Sequence, residues 1–174
     1  MLSDSLPSPS VVLITGAGTG FGLLTAKALL ERGHTVIATM PDPAGRHRAG
    51  VTARADDPGH GASGRVPAAV PGLCVQRVRC VEAPLADCPA RCGRIDAAMN
   101  NAGISMGGFA EAFSAEEMAR VFDVNVLGAQ RVNRAVLPGM RAAGSGLLIH
   151  VSSTFGRFVV PYVAPYSASK SALE

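Results

Sequence analysis

Tyr166 and Lys170 stand four residues apart in the stretch Tyr166-Ser-Ala-Ser-Lys170. On a helix that spacing is one turn, so the two side chains share a face. A free phenol titrates at about 10, and an ammonium beside it favours the phenolate and lowers that value. A tyrosine that can take or give a proton near neutrality is a usable general acid or base. A Tyr and a Lys at this spacing also occur as ordinary surface residues of a helix, so the pair needs a setting that brings chemistry to it.

The elements around it supply one. Pro165 suits a first helical turn and predicts that the helix carrying Tyr166 begins there. Upstream, Leu147-Leu-Ile-His-Val151 is a short apolar run that reads as a buried strand. Ser152 and Ser153 then fall at its carboxyl end, which is where ligands bind in open α/β sheets.

At the other end of the chain, Val11-Val-Leu-Ile-Thr15 reads as a second buried strand. The loop Gly16-Ala-Gly-Thr-Gly20-Phe-Gly22 follows, then a helical pattern through Leu30, with Gly33 as its C-terminal cap. Thr35-Val-Ile-Ala-Thr39 is the next strand. Strand, glycine loop, helix and strand form a βαβ unit, which implies a parallel sheet with a right-handed crossover. Glycines let the backbone approach a phosphate, and the free amides of the following helix point donors at an anion. The spacing Thr15, Gly16, Gly20, Gly22 is neither G-x-G-x-x-G nor a P-loop. A plain glycine-rich turn is the alternative to nucleotide binding.

Residues 41–73 are rich in Gly, Pro, Arg and Ala and show no sustained period. Cys74–Val81 is expected to be a poor third strand, and Ala83–Arg91 a short helix interrupted by proline. Arg94–Met99 predicts a fourth strand, with Asn100-Asn-Ala-Gly103 at its carboxyl end. Those asparagines could tie a turn or line a pocket. Ser114-Ala-Glu-Glu117 is a capping box that opens a long helix. Ala119, Phe122, Val126, Ala129 and Val132 give that helix its apolar face. Asn125 interrupts the face, either as a solvated amide or as a buried residue that bends the helix and holds a water. Pro138-Gly139 is expected to break the helix near its end.

The 174 residues suit one domain, 11–174, behind a disordered lead-in, 1–10. At 48% hydrophobic the chain can bury a core, and 16 basic against 13 acidic residues give no argument for a nucleic-acid or membrane partner. The start has no secretory-signal pattern and no apolar run is long enough to span a bilayer, so a cytoplasmic protein is expected. Cys74, Cys80, Cys88 and Cys92 match no zinc spacing, and no metal site is expected.

TGAGTGFG, NNAG, the helix Asn of NVLG and Ser153 with twelve residues between it and YSASK together resemble the short-chain dehydrogenase/reductase family over roughly two thirds of the chain. The resemblance implies a Rossmann-like doubly wound parallel α/β sheet that binds NADP or NAD. It implies Tyr166 as acid/base, Lys170 as its partner and a ribose contact, Ser153 on the substrate oxygen, and Asn125 on a relay water. Cofactor contacts are implied at Gly16, Thr19, Gly20, Phe21, Gly22, Thr39, Asn101, Ala102 and Gly103, besides Tyr166 and Lys170. The implied reaction passes hydride between nicotinamide and a secondary alcohol or ketone. Thr39 stands where NAD-preferring members carry an acid, and Arg46 and Arg48 follow nearby, which leans to NADP. No counterpart of the family's adenine-contacting Asp stands among Arg79-Cys-Val-Glu82.

The family's chains continue beyond the equivalent of Glu174 into further strands, a substrate lid and a dimer-forming helix surface. A homo-oligomer is therefore expected of a full-length form and not of this chain. Two functions remain open: a short-chain NAD(P)-dependent oxidoreductase, or a truncated nucleotide-binding remnant without useful catalysis.

Overall fold

The computed structural model describes residues 9–40, 70–71, 75–76, 81–82, 85 and 93–174. Within it β1 (Val11–Ile14), β2 (Thr35–Met40), β3 (Val70–Pro71), β4 (Ala97–Asn100) and β5 (Leu147–His150) form one sheet in the order β3-β2-β1-β4-β5. All four pairings are parallel, with Val12 beside both Val36 and Ala97, and Asn100 beside His150. The chain reverses direction across the sheet at β1, which makes the gap between β1 and β4 the switch point of a doubly wound fold.

Alternation along the strands splits the core in two. Val12, Ile14, Val36, Ala38 and Ala97 pack with Ala26 and Leu30 of α1 (Gly20–Glu31). Leu13, Ile37 and Ala98 pack on the other face with Val124, Val132, Val136 and Met140. The inner strands are buried on both faces, so they read as unbroken apolar runs. Each fully buried Leu, Ile or Val contributes about 1.5–3 kcal/mol. Gly33 closes α1 at φ 82°, donating to the Leu30 carbonyl at 3.0 Å.

α2 (Ala115–Phe122) starts at the expected capping box: the Glu117 amide donates to Ser114 Oγ at 3.1 Å, and the Ser114 amide to Glu117 Oε2 at 2.9 Å. A π-turn, Asp123–Leu127, follows, and α3 (Gly128–Ala142) continues from it. Arg131 clamps that turn, reaching Asp123 Oδ1 at 2.6 Å and its carbonyl at 3.2 Å. The wider turn adds a residue and shifts the phase of everything before it. Val121, Val124 and Asn125 are buried, whereas Ala119 is exposed and Phe122 and Val126 are half-buried. The expected apolar face therefore holds only at Ala129 and Val132.

Other expectations are corrected. The third strand of the sheet is Val70–Pro71, while most of Cys74–Val81 and of Ala83–Arg91 lies outside the described residues. Pro138 does not break α3, which runs on to Ala142; Arg134, whose carbonyl a donor at position 138 would have met, is solvent-exposed. β5 is not buried throughout: Leu147 and Ile149 are 42% and 39% exposed because β5 is the last strand of the sheet. Ser10 belongs to the fold rather than to a lead-in, being buried, with its amide donating to His34 Nδ1 at 3.2 Å. Residues 1–8, the four cysteines, Arg46, Arg48 and Arg79 lie outside the described residues.

Candidate functional site

The carboxyl ends of β1, β4 and β5 face one region, and each delivers part of a site there. After β1, Gly16 and Gly20 take positive φ, 66° and 56°. A side chain at Gly16 would reach 2.9 Å from the Ala102 backbone, and one at Gly22 would reach 2.5 Å from Asn101 Nδ2 and 2.6 Å from the Gly16 carbonyl. These glycines are needed for close approach of the loop to the turn after β4. Thr19 is the exposed N-cap of α1 and its hydroxyl makes no capping bond; the first turn holds no acid. The leading amides of α1 thus keep their pull on an anion. Phe21 stands 75% exposed beside them.

Asn101 settles which of its two readings applies. Its side-chain amide donates to the carbonyls of Thr15 (2.9 Å) and Gly16 (3.1 Å). Thr15 Oγ1 accepts from the Asn101 and Ala102 amides, both at 3.0 Å. Asn101 therefore fastens the glycine loop to the β4 turn, with its two amide hydrogens spent on the protein. Thr39 ties the same loop from the other side, its carbonyl accepting from the Ala17 amide at 2.9 Å. Its side chain is buried, and its hydroxyl has no partner among the described residues.

After β5, Ser153 is the N-cap of a short turn, Thr154–Gly156, and its hydroxyl accepts from the Phe155 amide at 3.2 Å. α4 (Ala164–Ser171) carries Tyr166 and Lys170, with Pro165 in its first turn. The Lys170 amine lies 5.8 Å from the centre of the Tyr166 ring and donates to the Val151 carbonyl at 2.7 Å. Lys170 is buried, and loss of hydration lowers its pKa from the usual 10.5. The Val151 amide in turn donates to the Asn100 carbonyl at 3.0 Å, so β4 fixes the acceptor that fixes the amine.

Asn125 joins the halves. Its Oδ1 accepts from the Ile104 amide at 2.8 Å, and its Nδ2 donates to the Ile104 carbonyl at 3.0 Å and to Ser169 Oγ at 2.9 Å. Ser169 Oγ donates to the Tyr166 carbonyl at 2.7 Å. A side chain at Gly103 would lie 3.3 Å from Asn125 Oδ1 and 3.5 Å from Lys170 Nζ. Gly103, Asn125, Tyr166 and Lys170 are thus one cluster, and Asn101–Ala102 connects it to Gly16 and Gly22. Thr19, Gly20 and Phe21 border the loop's open side, and Thr39 sits behind it.

Beyond Thr15, which the glycine motif already includes, three contributors escape a reading of the sequence by motif: Ile104, Ser169 and Tyr162. Thr15 opens the glycine motif, so its place at a strand end was the available signal. Ser169 lies within YSASK but meets a partner 44 residues away. Tyr162 alone among the described non-glycines has positive φ, 69°. Its ring meets Phe109 edge-on with centres 5.2 Å apart, and its carbonyl accepts from the Gly108 amide at 2.8 Å. Such a backbone costs about 1–3 kcal/mol, and an edge-to-face pair returns about 0.5–1.5 kcal/mol.

Comparison with known proteins fits this geometry. The family described as short chain dehydrogenase matches residues 10–174. The chain is 35% identical over 166 residues to a 3-ketodihydrosphingosine reductase of Bacteroides thetaiotaomicron, covering 95% of this chain and 55% of that protein. A crystal structure of a gluconate 5-dehydrogenase from Burkholderia cenocepacia in complex with NADP and tartrate superposes with a TM-score of 0.80 at 31% identity, over 94% of this chain and 61% of that one. A short chain dehydrogenase/reductase from Burkholderia phymatum in complex with NAD gives 0.81 at 30%, over 95% and 56%. The chain spans a little over half the length of the curated relative it matches.

Proposed function

The chain belongs to the short chain dehydrogenase family, and from that premise we propose that it forms the nucleotide-binding and proton-handling part of an NAD(P)-dependent oxidoreductase acting on secondary alcohols or ketones. The observation that carries this reading is the single cluster in which the Lys170 amine, 5.8 Å from the Tyr166 ring centre, is built onto the same β4 turn that fastens the glycine loop.

The residues fit a dinucleotide. Gly16, Gly20 and Gly22 bring the backbone close, the α1 amides are uncapped by side chains, and no acid opposes a pyrophosphate in the first turn. When bound, the nicotinamide supplies or accepts the hydride. The protein's own part is proton handling and orientation. Tyr166 gives its proton to the forming alkoxide in reduction and takes it in oxidation. The Lys170 ammonium stabilises negative charge that develops on the ring, and its bond to Val151 keeps it from drifting. Ser153 Oγ accepts from a backbone amide, so its own hydrogen is left to donate to the substrate oxygen. Both amide hydrogens of Asn125 are committed to Ile104 and Ser169, so a relay water there would be held by an oxygen of Asn125.

Between nucleotides the reading leans to NADP, because Thr39 offers no carboxylate to a ribose hydroxyl and is buried. Titration with each nucleotide tests this; tighter NAD binding reverses it. Tyr166→Phe is expected to abolish turnover and leave nucleotide affinity within about twofold; equal turnover in both proteins removes Tyr166 from the mechanism.

A second reading is a nucleotide-binding unit without useful catalysis. Leu147 and Ile149, apolar and exposed on the strand that leads to Ser153, favour it, because a site on an uncovered strand is held less firmly. The chain has no Trp, so NADPH fluorescence reports binding against little background. Binding without turnover on a panel of ketones, in a chain that melts cooperatively, supports this second reading.

A further inference from the structure

Tyr162 is strained without being buried. It sits at φ 69° with 60% of its surface exposed, and its ring partner Phe109 is 62% exposed. Residues held in such a backbone concentrate at ligand clamps and active sites. The Gly108–Tyr162 backbone bond ties the segment after β4 to the segment before α4. Phe109 and Tyr162 then pack across that tie. Four residues on, Tyr166 makes a similar edge-on contact with Phe155, centres 6.4 Å apart. Edge-to-face pairing leaves ring faces open, and those faces stack on other rings.

Charge narrows the occupant. Residues 101–109 carry no ionisable side chain. Residues 154–163 carry one cation, Arg157, and it is engaged twice by Glu174 Oε2, at 2.9 and 2.7 Å. A carboxylate or phosphate on the substrate would find no free cation on either segment to pair with it. We propose that Phe109 and Tyr162 form a specificity-determining shelf that takes the ring-bearing, uncharged flank of the alcohol or ketone. This rests on the oxidoreductase reading and deepens it to neutral aryl-substituted substrates.

The test uses the full chain with saturating NADPH and three probes: 1-phenylethanol, 2-butanol and 3-hydroxybutyrate. The chain's two tyrosines, Tyr162 and Tyr166, are labelled with carbon-13 in their rings and followed by NMR. Expected are shifts of the Tyr162 ring with 1-phenylethanol and affinity about tenfold above that for 2-butanol. Tyr162→Gly removes ring and strain together, so it should melt no earlier than the parent while its preference drops below about threefold. Phe109→Ala should drop it likewise without touching the backbone at Tyr162. Tighter binding of 3-hydroxybutyrate, a preference unchanged in both variants, or Tyr162 shifts that follow protein concentration instead of probe would overturn the proposal. Failure of NADPH itself to bind a folded chain would remove the oxidoreductase reading and this inference with it; NADPH binding with a silent Tyr162 removes this inference alone.

Discussion

Replacing Asn125 by alanine takes three hydrogen bonds from the centre of the molecule, to the Ile104 amide, the Ile104 carbonyl and Ser169 Oγ. The Ile104 groups are part-buried, and losing a partner costs each about 1 kcal/mol, the low end of the range for an unsatisfied buried group. The Ser169 hydroxyl keeps its bond to the Tyr166 carbonyl, so its share is about 0.5–1 kcal/mol. The total comes to roughly 3 kcal/mol, a large fraction of the 5–15 kcal/mol that holds a typical domain. Equilibrium urea unfolding measures it as a lower midpoint with an unchanged slope. Ser169→Ala alone is expected to cost about 1 kcal/mol, and the double variant less than the sum, because the two share a bond. A loss below about 0.5 kcal/mol for Asn125→Ala, or strict additivity with Ser169→Ala, would refute the assignment of Asn125 as the joint of the site.

Gly22→Ala forces a carbon to 2.5 Å from Asn101 Nδ2 and 2.6 Å from the Gly16 carbonyl, and is expected to cost about 2–3 kcal/mol and to weaken NADPH binding by tenfold or more. Gly20→Ala meets nothing within 4 Å and carries only its φ of 56°, so about 1–2 kcal/mol is expected; equal losses in urea unfolding would contradict the packing argument. The pKa of Lys170 is lowered from 10.5 by burial, so above the folded value the unfolded chain binds more protons and stability rises with pH until 10.5 is passed. Lys170→Met should lose that alkaline rise, and an identical pH profile in thermal melts of both proteins would count against it. Ser114→Ala removes the acceptor of the Glu117 amide, with about 1 kcal/mol expected by denaturant titration.

What was legible in the sequence was local. The capping box at Ser114, the Gly33 cap and the glycine loop each depend on residues within a turn or two of one another, and strands β1 and β2 announce themselves because burial on both faces demands apolar side chains throughout. The errors share the opposite character. The π-turn that rephases α2 is held by Arg131 reaching back eight residues to Asp123 and to the carbonyl of Val75, a contact that no periodicity contains. Leu147 and Ile149 look like core residues in any window, and only the strand order puts them at an edge. Tyr166 and Lys170 could be picked out because one helical turn separates them, whereas Ser169, Ile104 and Val151, which hold that pair still, are recognisable only once β4, α3 and α4 are in place.

The same distinction explains how one short turn serves both halves of the site. Residues 101, 102 and 104 bond in both directions. Asn101 fastens the glycine loop, the Asn101 and Ala102 amides hold Thr15 Oγ1, and Ile104 holds Asn125 through both its backbone groups. At Gly103, between them, an added side chain would meet the lysine amine at 3.5 Å. A displacement of the glycine loop therefore has a short path to Asn125, because Asn101 and Ala102 are bonded to the loop and Ile104, two residues on, to Asn125. On the function proposed above, a nucleotide that orders the loop would order Tyr166 and Lys170 through the same bonds, so that binding strength spent at one end would reappear as precision at the other.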